Sequence, residues 1–271
     1  SSFFSFICIP ALYFLSTPFT IISITKHTAK EPLMKGKHQK IKSIFLILIL
    51  FLITTSPILL SALQKNFAIR VACVGDSITY GAKIEDNFLN SYPAQLQLFL
   101  GSDYLVGNFG ASGYTLQKSG NFPYWNHPAF QESSAFQPNI VLIMLGTNDT
   151  KPYNWTGTEN FLADYRELIA HYRSLKSQPQ IYLMTPATIF PESFKPANGY
   201  KMQADVADLG SNAVKELGEE EHLPVIDVHA YTRTHPEYFL LDGVHPDAYG
   251  AKAIARLTFE ALRENESSFQ K

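Results

Sequence analysis

Residues 139–145, Asn-Ile-Val-Leu-Ile-Met-Leu, form an apolar run that ends on Gly146, and no other stretch restricts the fold as much. Six successive large apolar residues leave no polar face for water, so the run predicts a central parallel strand covered on both sides. Further strands are expected at 68–74, 104–109, 180–184 and 224–227, about five in all. Helices are expected at 91–100, 158–174, 202–217 and 248–263, the third stopped by Gly218. In the second of them Phe161, Leu162, Tyr165, Leu168 and Ile169 share one face at helical spacing. Alternation of this kind predicts an α/β chain with right-handed crossovers: a doubly wound parallel sheet in a three-layer α/β/α sandwich. Ligands of such sheets bind beyond the carboxyl ends of the strands.

The chain of 271 residues carries a formal net charge of −2, but the two ends differ. Residues 1–66 hold seven lysines against Glu31, which leaves 15 basic and 23 acidic residues, or −8, for residues 67–271. An acidic surface repels polyanions, so nucleic acid is not an expected partner. Residues 1–25 and 43–64 are uncharged, each long enough to span a bilayer as a helix. Residues 34–42, Met-Lys-Gly-Lys-His-Gln-Lys-Ile-Lys, precede the apolar run 44–53 in the manner of an export signal. Two readings follow: 1–33 as upstream material before a start at Met34, with 34–66 a signal peptide, or a two-helix membrane anchor. Both keep the lysines cytoplasmic and export residues 67–271, read as one domain. Cys8 and Cys73 are not expected to pair.

Three short segments fall where strands end and a fourth just before the last helix. They are Gly75-Asp76-Ser77, Asn108-Phe109-Gly110-Ala111-Ser112-Gly113, Gly146-Thr147-Asn148-Asp149 and Asp242-Gly243-Val244-His245. Serine is a weak nucleophile at neutral pH; acyl transfer requires a base, a carboxylate to orient it, and donors for the oxyanion. The segments supply each part, with Ser77 as nucleophile, His245 as base and Asp242 as its orienting acid. The backbone N–H groups of Ser77 and Gly110 and the Asn148 side-chain amide are the expected oxyanion donors. Each segment alone also reads as an ordinary turn or cap; the four in this order do not.

On these segments the chain resembles the SGNH hydrolases, also called the GDSL esterase/lipase family, over residues 67–265. The resemblance implies the same sandwich fold, the same roles for Ser77, Gly110, Asn148, Asp242 and His245, and no metal or organic cofactor. Within the family it is most similar to bacterial carbohydrate esterases and acetylesterases.

A Gly-x-Ser-x-Gly elbow, a Walker loop and a dinucleotide fingerprint are absent. The remaining histidines lack zinc spacing and read mostly as surface residues. Of the sequons at Asn148, Asn154 and Asn265, the first coincides with the expected oxyanion donor and reads as chance. The aromatic stretch 122–128 offers Tyr124, Trp125 and Asn126, beside Asp76, as substrate contacts; rings there can stack on a sugar or simply peg the loop to the core. The expected activity is hydrolysis of short acyl esters, acetyl foremost, on a small-molecule or glycan alcohol. The alternatives are a lysophospholipase or thioesterase for longer chains, and a carbohydrate-binding surface protein without turnover.

Overall fold

The computed structural model describes residues 69–190 and 201–269, which belong to one compact unit, Leu63–Lys271. The readings placed on residues 1–66 lie outside the described residues. Five strands, β1 (Ile69–Gly75), β2 (Tyr104–Gly110), β3 (Ile140–Met144), β4 (Gln180–Met184) and β5 (Val225–Ile226), form one parallel sheet in the order β2-β1-β3-β4-β5. The predicted sheet is therefore present, strand for strand.

The pleat sorts side chains into two cores. Ala72, Val74, Val141, Ile143, Ile181 and Leu183 face one layer, beneath α4 (Pro128–Ala135), α5 (Thr158–Arg173) and α6 (Ala204–Glu221). Val71, Cys73, Leu142, Met144, Tyr182 and Met184 face the other, beneath α3 (Tyr92–Leu100), α7 (Val228–Arg233) and α8 (Ala248–Phe269). Both faces of β3 are thus covered, which is why its sequence shows no polar alternation. Two short helices, α1 (Ser77–Tyr80) and α2 (Asn87–Asn90), fill the first crossover.

Gly218 does not stop a helix. Helix α6 continues to Glu221 and closes on His222, whose φ of 54° is left-handed. The glycine serves packing instead: a Cβ at Gly218 would lie 2.1 Å from Val225 Cγ2, so its absence lets β5 approach the helix. Helices α4 and α7 were not expected. Pro128 reads as a breaker yet stands at the first position of α4, where no N–H is needed.

After β1 the chain lays β2 on one side and then β3 on the other. The carboxyl ends of β1 and β3 therefore border the crevice where strand order reverses, the usual ligand site of such sheets. Gly75 lies in register with both Gly110 and Met144, which brings the first three segments to one edge.

Candidate active site

Ser77 leaves β1 on a turn that only glycine permits. A Cβ at Gly75 would fall 2.0 Å from Thr79 Oγ1 and 2.7 Å from the Met144 carbonyl oxygen. Asp76 caps α1, its Oδ1 accepting the Ile78 N–H at 2.9 Å, and Ser77 occupies the first helical position.

The fourth segment turns on Gly243, with φ 66°, and its loop closes as the Leu240 N–H donates to the His245 carbonyl at 2.8 Å. Asp242 Oδ1 accepts the N–H groups of Val244 and His245, each at 2.9 Å, which locks the carboxylate. Its Oδ2 lies 2.8 Å from His245 Nδ1 and 2.6 Å from Lys83 Nζ. Burial pushes the Asp242 carboxyl up, but the His245 N–H, Lys83, the Val244 N–H and the His245 ring together hold it well below the usual carboxylate range. An ionised carboxylate only accepts, so Nδ1 carries the imidazole hydrogen. The lone pair at Nε2 then faces Ser77 Oγ, 2.9 Å away and buried. The side chains of Ser77, His245 and Asp242 thus form one continuous relay.

Asn148 follows β3 on a 3₁₀ turn, Asn148–Thr150, and is 2% exposed. Its Nδ2 donates to the Tyr114 carbonyl at 3.1 Å and its Oδ1 accepts Lys151 Nζ at 2.9 Å. One amide hydrogen is engaged; the other has no acceptor among the described residues. The backbone N–H of Ser77 is likewise without an acceptor there.

Gly110 is not placed as expected. Along a strand successive N–H groups point to opposite sides, and it is Ala111 N–H that reaches β1, donating to the Gly75 carbonyl at 2.9 Å. Gly110 N–H therefore points to the outer edge of the sheet, where Asn108 Oδ1 accepts it at 3.0 Å. The glycine is needed for close approach, because a Cβ would sit 2.1 Å from the Tyr80 nitrogen. Gly113 is the better-placed residue of that segment. Its φ of 89° is left-handed, its N–H has no acceptor among the described residues, and its neighbour Tyr114 touches Asn148.

Two buried carboxyls lie beneath this edge. Asp149 Oδ1 and Oδ2 accept the Gln117 and Leu116 N–H groups at 2.7 and 2.9 Å, pinning the loop that carries Gly113. Burial raises its carboxyl to about 7 against those two bonds, with Asp76 adding to the rise. Burial also raises Asp76, despite the Ile78 N–H and nearby Thr147, His245 and Lys151.

The expected substrate contacts are mostly structural. Asp76 and Tyr124 are fully buried, and Tyr124 donates its hydroxyl to the Phe109 carbonyl at 2.8 Å. Trp125 donates its indole N–H to the Leu116 carbonyl at 3.1 Å and carries Lys118 Nζ 4.4 Å from its ring centroid. Asn126 is exposed on the 3₁₀ turn Tyr124–Asn126. The exposed ring of this stretch is Phe122, packed against Tyr114 at 5.9 Å. Among the histidines read mostly as surface residues, His229 is buried, with Nε2 2.8 Å from Asp208 Oδ1. Asn154 is also buried and its side chain is bonded at both ends, to the Asn148 carbonyl and the Asn121 N–H, which leaves no room for a glycan. No cluster suited to a metal ion occurs among the described residues.

Lys83, Lys151, Asp149 and Gly113 were not singled out from sequence. For Lys151 a signal existed, since residues three apart eclipse on a 3₁₀ turn. For Lys83, 159 residues from Asp242, there was none.

The family model described as GDSL-like Lipase/Acylhydrolase family matches residues 73–253, which contain the whole relay. An acetylxylan esterase from Xylanibacter ruminicola is 36% identical over 216 residues, 73% of this chain and 44% of that protein. A multidomain esterase from Ruminococcus flavefaciens is 25% identical over 246 residues, 78% of this chain and 31% of that protein. The chain therefore spans less than half the length of the curated relatives it matches. Among solved structures, a carbohydrate acetylesterase family member from Sinorhizobium meliloti superposes with a TM-score of 0.60 at 21% identity, covering 72% of this chain and 97% of that one. The M. smegmatis aryl esterase gives 0.59 at 18%, covering 73% and 99%. At these identities the two likenesses concern the fold.

Proposed function

Because the chain belongs to the GDSL-like lipase/acylhydrolase family, we propose that it is a serine esterase that removes short acyl groups, acetyl foremost, from carbohydrate esters. The observation that carries this reading is the relay from Ser77 Oγ to His245 Nε2 at 2.9 Å and from His245 Nδ1 to Asp242 Oδ2 at 2.8 Å. The acetylxylan esterase among the relatives supports the choice of acyl group and alcohol.

In this mechanism Ser77 Oγ attacks the ester carbonyl carbon as its proton passes to His245 Nε2. Asp242 stabilises the imidazolium and remains ionised. The carbonyl oxygen becomes an oxyanion that the Ser77 N–H, the free Asn148 amide hydrogen and the Gly113 N–H receive. Collapse breaks the bond to the alcohol, which leaves with the proton from His245, and the acyl group stays on Ser77. Water then attacks the acyl-serine, giving its proton to His245, and acetate departs as Ser77 Oγ recovers it. The basic and apolar N-terminal segment, outside the described residues, is read as directing this domain out of the cytoplasm, where polysaccharide esters occur.

The test compares 4-nitrophenyl acetate and octanoate, and acetate release from acetylated xylan, for the native chain and Ser77→Ala. The acetyl ester is expected to be preferred and Ser77→Ala to lose at least about 10³-fold in kcat. Normal turnover by Ser77→Ala, or a preference for octanoate, overturns the reading.

A further inference from the structure

We propose that Lys151 is a positioning residue of the oxyanion hole: its ammonium fixes which end of the Asn148 amide faces the reacting oxygen and polarises the N–H presented there. The inference rests on the serine-esterase reading above. An asparagine side chain has two ends of nearly equal shape, and only one is a donor. Reversed, Asn148 would present an acceptor lone pair to an oxyanion and repel it. Two contacts prevent reversal from opposite ends. Lys151 Nζ, which only donates, holds Oδ1 at 2.9 Å, while the Tyr114 carbonyl, which only accepts, holds Nδ2 at 3.1 Å.

The backbone holds both partners in place. Asn154 Nδ2 donates to the Asn148 carbonyl at 2.8 Å, and the Lys151 N–H donates to that same carbonyl at 3.4 Å. The 3₁₀ turn sets the Lys151 side chain over that of Asn148, so no long-range packing has to bring them together. Asn148 is 2% exposed and Lys151 half-buried, so water screens their contact poorly and a positive charge on Oδ1 draws electron density from Nδ2. Burial lowers the lysine's affinity for its proton, and the neighbouring carboxyls Asp76 and Asp149 oppose that. The ammonium thus bonds the amide it orients, and the charge of two nearby buried acids favours its protonated form. Strengthening a donor as negative charge forms opposite it lowers the barrier without tightening substrate binding.

The experiment is a double-mutant cycle on 4-nitrophenyl acetate hydrolysis with Lys151→Met, Asn148→Ala and the combination, beside Lys151→Arg and Ser77→Ala. Affinity for phenylboronic acid, whose serine adduct places an oxygen in the hole, is measured in parallel. Lys151→Met is expected to lower kcat about tenfold or more with KM within about threefold. Its boronate affinity falls by a similar factor, and Lys151→Arg restores most of both. Asn148→Ala loses about 10²- to 10³-fold. In that background Lys151→Met has no further effect, because the group it acts through is gone. Multiplying losses, or a Lys151→Met chain with native kcat and boronate affinity, overturns the proposal. If Asn148→Ala does not fold, the Met and Arg variants and the boronate decide it: native boronate affinity in Lys151→Met refutes the role. Full activity in Ser77→Ala would instead refute the esterase mechanism, so the two failures are distinct.

Discussion

Lys83 Nζ lies 2.6 Å from Asp242 Oδ2, the oxygen that also faces His245 Nδ1. Lys83 holds a left-handed φ of 65° on the turn that follows α1, a conformation that costs a non-glycine residue about 1 kcal/mol or more. Asp242 sits below its ordinary carboxyl value, so its contribution to stability is present above 3.8 and is lost as pH falls toward the depressed native value. Lys83→Met removes one of the groups that hold it there. The variant should be less stable than the native chain above 3.8, by no more than about 1 kcal/mol because the lysine is half exposed, and the gap should shrink as acid protonates Asp242. Urea midpoints between pH 2.5 and 6 measure this. A gap that widens toward acid, or no gap at pH 6, would refute the coupling.

Gly110 and Gly113 should separate stability from activity. Gly110→Ala drives a Cβ into the Tyr80 backbone at 2.1 Å and is expected to destabilise by several kcal/mol, or to prevent folding. Gly113→Ala meets nothing within 4 Å and costs only the left-handed strain of about 1–2 kcal/mol. Relaxing that strain rotates the Gly113 N–H away from the oxyanion of the proposed mechanism. Gly113→Ala should therefore fold, with a modest drop in Tm, and lose kcat by tenfold or more. A native kcat in folded Gly113→Ala would remove Gly113 from the hole.

The parts of the fold and site that were legible are those written in contiguous residues. Six apolar residues specify a strand buried on two faces, and Gly-Asp-Ser77 or Asp242-Gly-Val-His245 carries its chemistry within one turn. What was not legible depends on contacts between segments. Whether Gly110 or Gly113 faces the site depends on which N–H groups of β2 are consumed by β1. Tyr124 and Trp125 have the composition of either a sugar wall or a core peg. They became pegs because α4 places Phe130 against both rings, at 6.2 and 5.2 Å, and α4 was hidden by a proline that reads as a breaker.

Gly218 illustrates the same point in a form that can be measured. Gly218→Ala adds a methyl 2.1 Å from Val225 Cγ2 and 3.2 Å from the Leu223 carbonyl oxygen, although alanine is the better helix former by about 1 kcal/mol. Overpacking of this kind typically costs about 1–3 kcal/mol, so Tm should fall. Val225→Ala in the same chain removes the obstruction and should restore part of the loss. An increase in Tm from Gly218→Ala alone would mean that β5 yields and that the glycine is not needed for packing.

Asp149 sets two opposing effects against each other. Two backbone N–H groups favour its ionised form, and complete burial favours the neutral one; burial wins, placing its carboxyl at about 7 instead of 3.8. A carboxyl raised in the native state keeps its proton at pH values where the unfolded chain has lost it. Its contribution to stability is therefore full below 3.8, erodes as pH rises to about 7, and is constant above that. Asp149→Asn cannot ionise and turns an amide donor toward the N–H of Leu116 or Gln117, a penalty that does not vary with pH. The native chain should be more stable than the variant at pH 4.5, with the gap narrowing toward pH 7.5. Urea midpoints of both chains across that range measure it. A gap that widens with pH would mean that the two N–H bonds outweigh burial and that Asp149 is ionised beneath Gly113 and Tyr114.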